Sequence, residues 1–180
     1  LEKINAVNGL FSGISHDAEV DVKVSIELAK KLFNSDPKLW NYLVEAFIKD
    51  IDYSRYLGLP TLECINGEEY KFGILISNKI GIRSKFGAPI ICKNTNKTDT
   101  NNILVFRLDT LNFENAEKNT LFNKGVYTKK FGEPDFLIPF VDKFISPLSR
   151  ESIIVSKQNL NWIKHNPELI QDEFSRQILP

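Results

Sequence analysis

The chain has 180 residues, 42% of them apolar and 13 of them phenylalanine, so it holds enough apolar material for a real core and is not an intrinsically disordered sequence. Its 23 basic and 23 acidic residues cancel, which excludes a nucleic-acid binder driven by overall charge. Any such contact must come from a local basic patch. Cys64 and Cys92 do not form a CxxC pair, so no structural zinc motif is present and reduced thiols are expected. No apolar run approaches the ~20 residues of a membrane span, and no signal peptide is recognisable. Methionine is absent, even at position 1, which leads to the expectation that the natural N-terminus lies upstream.

In chain order, residues 1–15 read as the end of a helix, a turn at Asn8-Gly9 and a loop through Ser12-Gly13. A helix is predicted over 17–33. Its apolar stripe is Ala18, Val22, Ile26, Ala29 and Phe33, and its polar side carries Glu19, Lys23, Glu27, Lys30 and Lys31. Asp36 then serves as N-cap and Pro37 as first residue of a further helix, whose predicted buried stripe is Leu39, Trp40, Leu43, Val44 and Phe47. A domain boundary is expected near residues 33–36, and residues 53–60 read as a connector.

Strands are predicted at 61–65, 70–77, 89–93 and 102–108, with Ile65-Asn66-Gly67-Glu68 as a hairpin turn. The pattern implies a small antiparallel sheet, read as a barrel of SH3-like size. Residues 110–118 and 121–127 are ambiguous between a short helix and a loop. Residues 136–139 and 143–145 read as further short strands. A helix opens at Ser156-Lys157-Gln158 and stops before Pro167, which starts another with Leu169, Ile170 and Phe174. Trp40 and Trp162 read as core residues, and His165 as a C-terminal helix cap.

The residues with most chemical content are His16-Asp17-Ala18-Glu19-Val20-Asp21. A histidine in the loop before a helix and an aspartate on its first turn can point to one end of that helix. One suits a general base and the other a metal ligand. On spacing alone the pair is a weak pattern and is better read as an exposed loop histidine beside a first-turn acid favoured by the helix dipole.

Leu1-Glu2, Ala6, Asn8-Gly9, His16-Asp17-Ala18, Asp21-Val22 and Ala29-Lys30 together resemble the fourth motif of the bacterial exonuclease I family. That family is a branch of the two-metal DEDDh 3′→5′ exonucleases. The resemblance continues, in order, at Pro37, Leu39, Tyr42-Leu43, Ala88-Pro89, Lys157-Gln158-Asn159-Leu160 and Asn166-Pro167-Glu168. It covers nearly the whole chain apart from residues 51–77 and 110–135.

The resemblance implies an α+β chain: the C-terminal helices of an RNase H-like DEDDh exonuclease domain over 1–35, then an SH3-like β-barrel domain with flanking helices over 36–180. It implies His16 as general base, Asp21 as the last metal-binding aspartate, and two Mg²⁺ ions in the complete active site. The family's first motif, Asp-x-Glu on a strand, and two further motifs have no recognisable counterpart. Asp17-Ala18-Glu19 has the letters of the first but lies inside the fourth. The expectation is therefore a fragment that is inactive alone, from a parent that processively removes mononucleotides from single-stranded DNA in repair and recombination. Implied partners are single-stranded DNA and the C-terminal tail of single-stranded DNA-binding protein. A monomer in the bacterial cytoplasm, with no membrane attachment, is implied as well.

Two basic clusters are candidates for DNA contact. Lys79, Arg83 and Lys85 lie on a glycine-containing loop with Phe86, which suits phosphate contact and base stacking. Lys124, Lys129 and Lys130 lie beside Tyr127. A solvated lysine-rich loop explains either cluster without DNA. Two other readings remain: a different DEDDh nuclease (RNA-trimming or proofreading) with an unrelated β domain, and a non-catalytic module that binds nucleic acid or protein.

Overall fold

The computed structural model describes residues 1–13, 17–65, 68–77, 87–94, 101–110, 113–115, 126–168, 170, 171 and 174. These form two compact units, Leu1–Glu45 and Ala46–Pro180. The first is helical and the second is built on a six-stranded antiparallel sheet, so the chain is α+β. The division falls later than the sequence boundary because α3, assigned to the sheet domain by its sequence, packs with α2.

In the helical unit, α1 (Glu2–Asn8) ends at Gly9, whose φ of 57° is left-handed and whose N–H donates to the Asn5 carbonyl. The Asn5 side chain both donates to and accepts from the Phe11 backbone, at 2.9 and 3.0 Å, holding the chain as it leaves the helix. Helix α2 (Ala18–Ser35) starts at Asp17, whose carboxylate accepts from the Glu19 N–H at 2.9 Å. Helix α3 (Pro37–Glu45) follows, with the Asp36 carboxylate accepting from the Leu39 N–H at 2.9 Å.

The predicted stripe of α2 is not a core stripe. Val22 is 58% exposed and Ile26 48%, and Phe33 is also exposed. Val24 is buried instead, flanked at four-residue spacing by half-buried Val20 and Leu28. Along α3, Leu39 and Val44 are exposed, as is Phe47 beyond it, while Trp40 and Leu43 are half-buried. Periodicity identifies an apolar face but does not say which element covers it.

The sheet unit opens with α4 (Lys49–Leu57), where the sequence suggested a connector. Acids in its first turn and Arg55 in its last suit the helix dipole. Then come β1 (Thr61–Ile65), β2 (Glu68–Ile76), β3 (Ala88–Asn94), β4 (Asn102–Arg107), a 3₁₀ turn at Phe113–Asn115, β5 (Val126–Lys130) and β6 (Phe136–Ile138). Helix α5 (Asp142–Ile145) occupies a predicted strand, and α6 (Arg150–His165) begins a turn and a half before the predicted start because the Ser149 hydroxyl caps it, accepting from Ser152 N–H.

The sheet order is β1-β2-β3-β4-β5, with β6 also on β2. β2 uses one edge for β3 and the other for β1 and then β6: Lys71 pairs with both Thr61 and Cys92, and Ile74 with both Pro89 and Ile138. Lys130 pairs with Asn102 at one end of the sheet, while Phe136 pairs with Ile76 at the other end and on the far side. In a flat sheet those two corners would stand about 30 Å apart. The six Cα steps that join them reach at most about 20 Å. The sheet therefore coils and brings its diagonal corners together.

Each face carries its own core. On one side Tyr70, Ile91, Leu104, Phe106 and Leu108 pack with Phe113, Ile163, Ile170 and Phe174. On the other, Leu75, Ile90, Cys92, Ile103 and Val105 pack with Tyr56 and Leu59 at the end of α4, and with Phe131 and Leu137. Alternation along each strand sends successive side chains to opposite cores. Gly73 of β2 lies against both the loop after α4 and β6: a Cβ there would lie 2.9 Å from the Ile138 carbonyl oxygen and 3.2 Å from the Leu59 side chain.

Candidate functional site

The candidate catalytic pair sits at the start of α2. Asp17 caps the helix, and Glu19 and Asp21 occupy its first turn. Glu19 is engaged by Lys23 at 2.5 Å, and Lys23 also lies over the Phe11 ring, 5.3 Å from its centroid. Asp21 is half-buried. Its backbone carbonyl accepts from the Ser25 hydroxyl at 2.8 Å, while its carboxylate has no partner among the described residues. It shares an open, shallow face of α2 with Val22, Ser25, Ile26 and Ala29. His16 lies outside the described residues.

A single carboxylate cannot hold two divalent ions, which need several acidic ligands between them. Among the described residues, no three histidine, cysteine, aspartate or glutamate side chains gather into a metal-holding group. Asp21 by itself therefore does not make such a site.

Of the basic candidates, Lys79, Arg83, Lys85 and Lys124 lie outside the described residues. Lys129 must be reassigned. It is 1% exposed, its ammonium lies 2.5 Å from Asp52 Oδ2, and it donates to the Lys130 carbonyl at 3.0 Å and sits over the Phe131 ring. Strand alternation explains the error: of two adjacent lysines on β5, one must face the core side. Lys130 takes the solvent side, 3.6 Å from Glu133, with both side chains well exposed. It stays available to an anion because such a pair is weak.

Three groups that the sequence reading did not offer as site residues are firmly held, although Asn159 stood among its landmarks. Asp52, fully buried on α4, also accepts from the Gly132 N–H at 3.0 Å. The signal was present: Asp52, Tyr56 and Leu59 recur at four- and three-residue spacing, so a charge sits on an apolar stripe and requires a partner. Arg107 grips Asp109 with two hydrogen bonds, at 2.7 and 3.2 Å, and Asp109 also accepts from the Ser152 hydroxyl at 2.8 Å. Burial disfavours the Arg107 charge, but the hydrogen bond and charge of Asp109 outweigh it, so the guanidinium stays above its ordinary value. Asn159 accepts from Phe113 N–H and donates to the Leu108 carbonyl, fastening α6 to the end of β4. These groups are occupied with one another and hold elements together.

Burial raises the Tyr56 hydroxyl and the Cys92 thiol well above their usual ranges, and both stay neutral. The His165 Nδ1–H donates to the Asn161 carbonyl at 2.8 Å, at the C-terminus of α6. Trp162 packs edge-on against Phe113, 5.9 Å between centroids.

Comparison with protein-family models, curated proteins and solved structures finds no match. Among the described residues, no helix is long and apolar enough to cross a membrane.

Proposed function

We propose that this chain contributes the fourth motif and an accessory domain to a 3′→5′ exodeoxyribonuclease of the exonuclease I type, which degrades single-stranded DNA with two Mg²⁺ ions. The observation that carries the reading is the ordered set of sequence landmarks around His16-Asp17-Ala18 and Asp21-Val22, set at the start of a capped helix. The half-buried Asp21 carboxylate, without a partner among the described residues, supports a ligand role. In this reading Asp21 holds a metal and His16 takes the proton of the attacking water. Carboxylates other than those described complete the site.

The coiled sheet supports assigning the second unit as SH3-like, confining the strand and giving processivity. Lys79, Arg83, Lys85 and Lys130 are the proposed phosphate contacts, and the tail of single-stranded DNA-binding protein is the proposed protein partner. A cytoplasmic, monomeric parent belongs to the same proposal.

A second reading is a non-catalytic binding module. It is favoured by the sheet unit, which fills both faces of its sheet with its own residues.

Incubating the natural gene product with 5′-labelled single-stranded DNA or RNA, with Mg²⁺ or with chelator, separates these. A metal-dependent 3′→5′ ladder on DNA is expected. Preference for RNA would support a different DEDDh nuclease. Tight strand binding with no digestion would support the module.

A further inference from the structure

The coiled sheet is closed by residues 131–135, which run between its diagonal corners, and this link is held from α4. Asp52 Oδ2 receives two donors at once, the Lys129 ammonium at 2.5 Å and the Gly132 N–H at 3.0 Å, one on each side of the point where β5 ends. Gly132 has a φ of 79°, and a Cβ there would lie 3.3 Å from the Phe47 carbonyl oxygen and 3.5 Å from the Lys49 backbone. The link thus passes hard against the start of α4. Phe131 between them packs against Tyr53 and Tyr56 of the same helix, with centroids 5.2 and 5.8 Å away. Its N–H donates to the Asn101 carbonyl, while the Lys49 ammonium bonds the Asn101 side chain.

The charge pair is fully buried, and Asp52 Oδ1 has no hydrogen-bond partner among the described residues. Burying two charges with an acceptor left open is a poor way to gain net stability, because desolvation consumes most of the attraction. Specificity is what the arrangement can supply. β5 offers two adjacent lysines, and a one-residue slip against β4 would exchange Lys129 for Lys130 and send every side chain of the strand to the wrong core. Apolar packing does not distinguish the two lysines, but a single buried carboxylate does, since only the register with Lys129 inward also delivers the Gly132 N–H to it.

We propose that Asp52, Lys129 and the Gly132 N–H form a clasp by which α4 sets the register of β5 and the closure of the coiled sheet.

The test uses the full chain with Asp52→Asn, Lys129→Met and the double replacement Asp52→Leu/Lys129→Met. Urea unfolding gives the midpoint, and amide spectra with backbone proximities between Leu104 and Thr128 give the register. Each single replacement is expected to lower the midpoint by more than about 1 M, since it strands a buried charge or opens the clasp. The double replacement is expected to regain most of that loss and yet give more than one set of amide signals for Thr128 and Gly132. Unchanged midpoints in both single variants would overturn the proposal. So would a single native register, with Gly132 as protected from exchange as in the parent chain, in both Asp52→Asn and the double variant.

Discussion

The helical unit and the sheet unit treat their apolar residues in opposite ways. Among the described residues of Leu1–Glu45 only Val24 is a buried hydrophobic, while Ile4, Val7, Val22, Ile26, Leu32, Phe33, Leu39 and Val44 are exposed. The sheet of Ala46–Pro180 buries both faces, with Tyr70, Phe106 and Ile91 fully enclosed on one side and Ile90, Cys92 and Val105 on the other. An apolar stripe is therefore not a core. The sheet unit's stability comes from packing density, whereas that of the helical unit rests mainly on caps and local pairs worth about 1 kcal/mol or less each.

The sharpest way to break this comparison is to truncate one residue of each kind. Phe106→Ala is expected to cost about 3–5 kcal/mol in urea unfolding, because its ring packs against Phe113 and Phe174 and nothing can fill the space. Ile26→Ala on α2 is expected to cost well under about 1 kcal/mol. Equal losses would mean that the α2 face is covered in solution.

Alkaline pH should separate the units next. Tyr56 and Cys92 have raised values in the folded chain, so their contribution is complete below their unfolded values and is lost as pH rises through them. With unfolded values of about 8.5 for cysteine and about 10 for tyrosine, the sheet unit should weaken from roughly pH 9 upward. Tyr56→Phe should flatten that slope, as read in urea midpoints between pH 7 and 11. The Cys92 thiol should also resist alkylation at pH 8 until the sheet opens.

A smaller effect is expected at the helix start. Asp17→Ala removes the acceptor for the Glu19 N–H and should cost about 1 kcal/mol, confined to faster amide exchange in the first turn of α2. Paired Val22→Ser and Ile26→Ser changes should move stability by no more than about 0.5 kcal/mol per site.

Much of the fold was legible where a residue type imposes local geometry. Asp36-Pro37 marked the start of α3, and the short apolar runs located β1 to β4 within a residue or two, because strand burial on both faces leaves a dense apolar signature. Misreadings came where neighbours decide. Residues 143–145 are a helical turn because Val141 and Asp142 carbonyls accept from Phe144, Ile145 and Ser146 N–H groups, which the apolar triplet does not reveal. Residues 53–57 lie in α4, whose role depends on a sheet far along the chain.

For the candidate site, Asp21's position on the first turn was legible from the apolar periodicity that begins at Ala18, and the structure adds the Asp17 cap. The burial of Lys129 could not be read from β5 alone, since two adjacent lysines look alike until Asp52, 77 residues away, selects one. Lys79, Arg83 and Lys85, like His16, fall outside the described residues.

The most direct measurement compares the natural gene product with its Asp21→Asn and His16→Ala versions on a 5′-labelled single-stranded DNA oligonucleotide with Mg²⁺, alongside equilibrium binding to the same strand. The expected result is a 3′→5′ ladder that both substitutions reduce by several orders of magnitude while binding changes little, because metal ligand and base act chiefly in the transition state. A ladder of unchanged rate in either variant would contradict the assignment of that residue, and unchanged rates in both would contradict the nuclease reading of this helix.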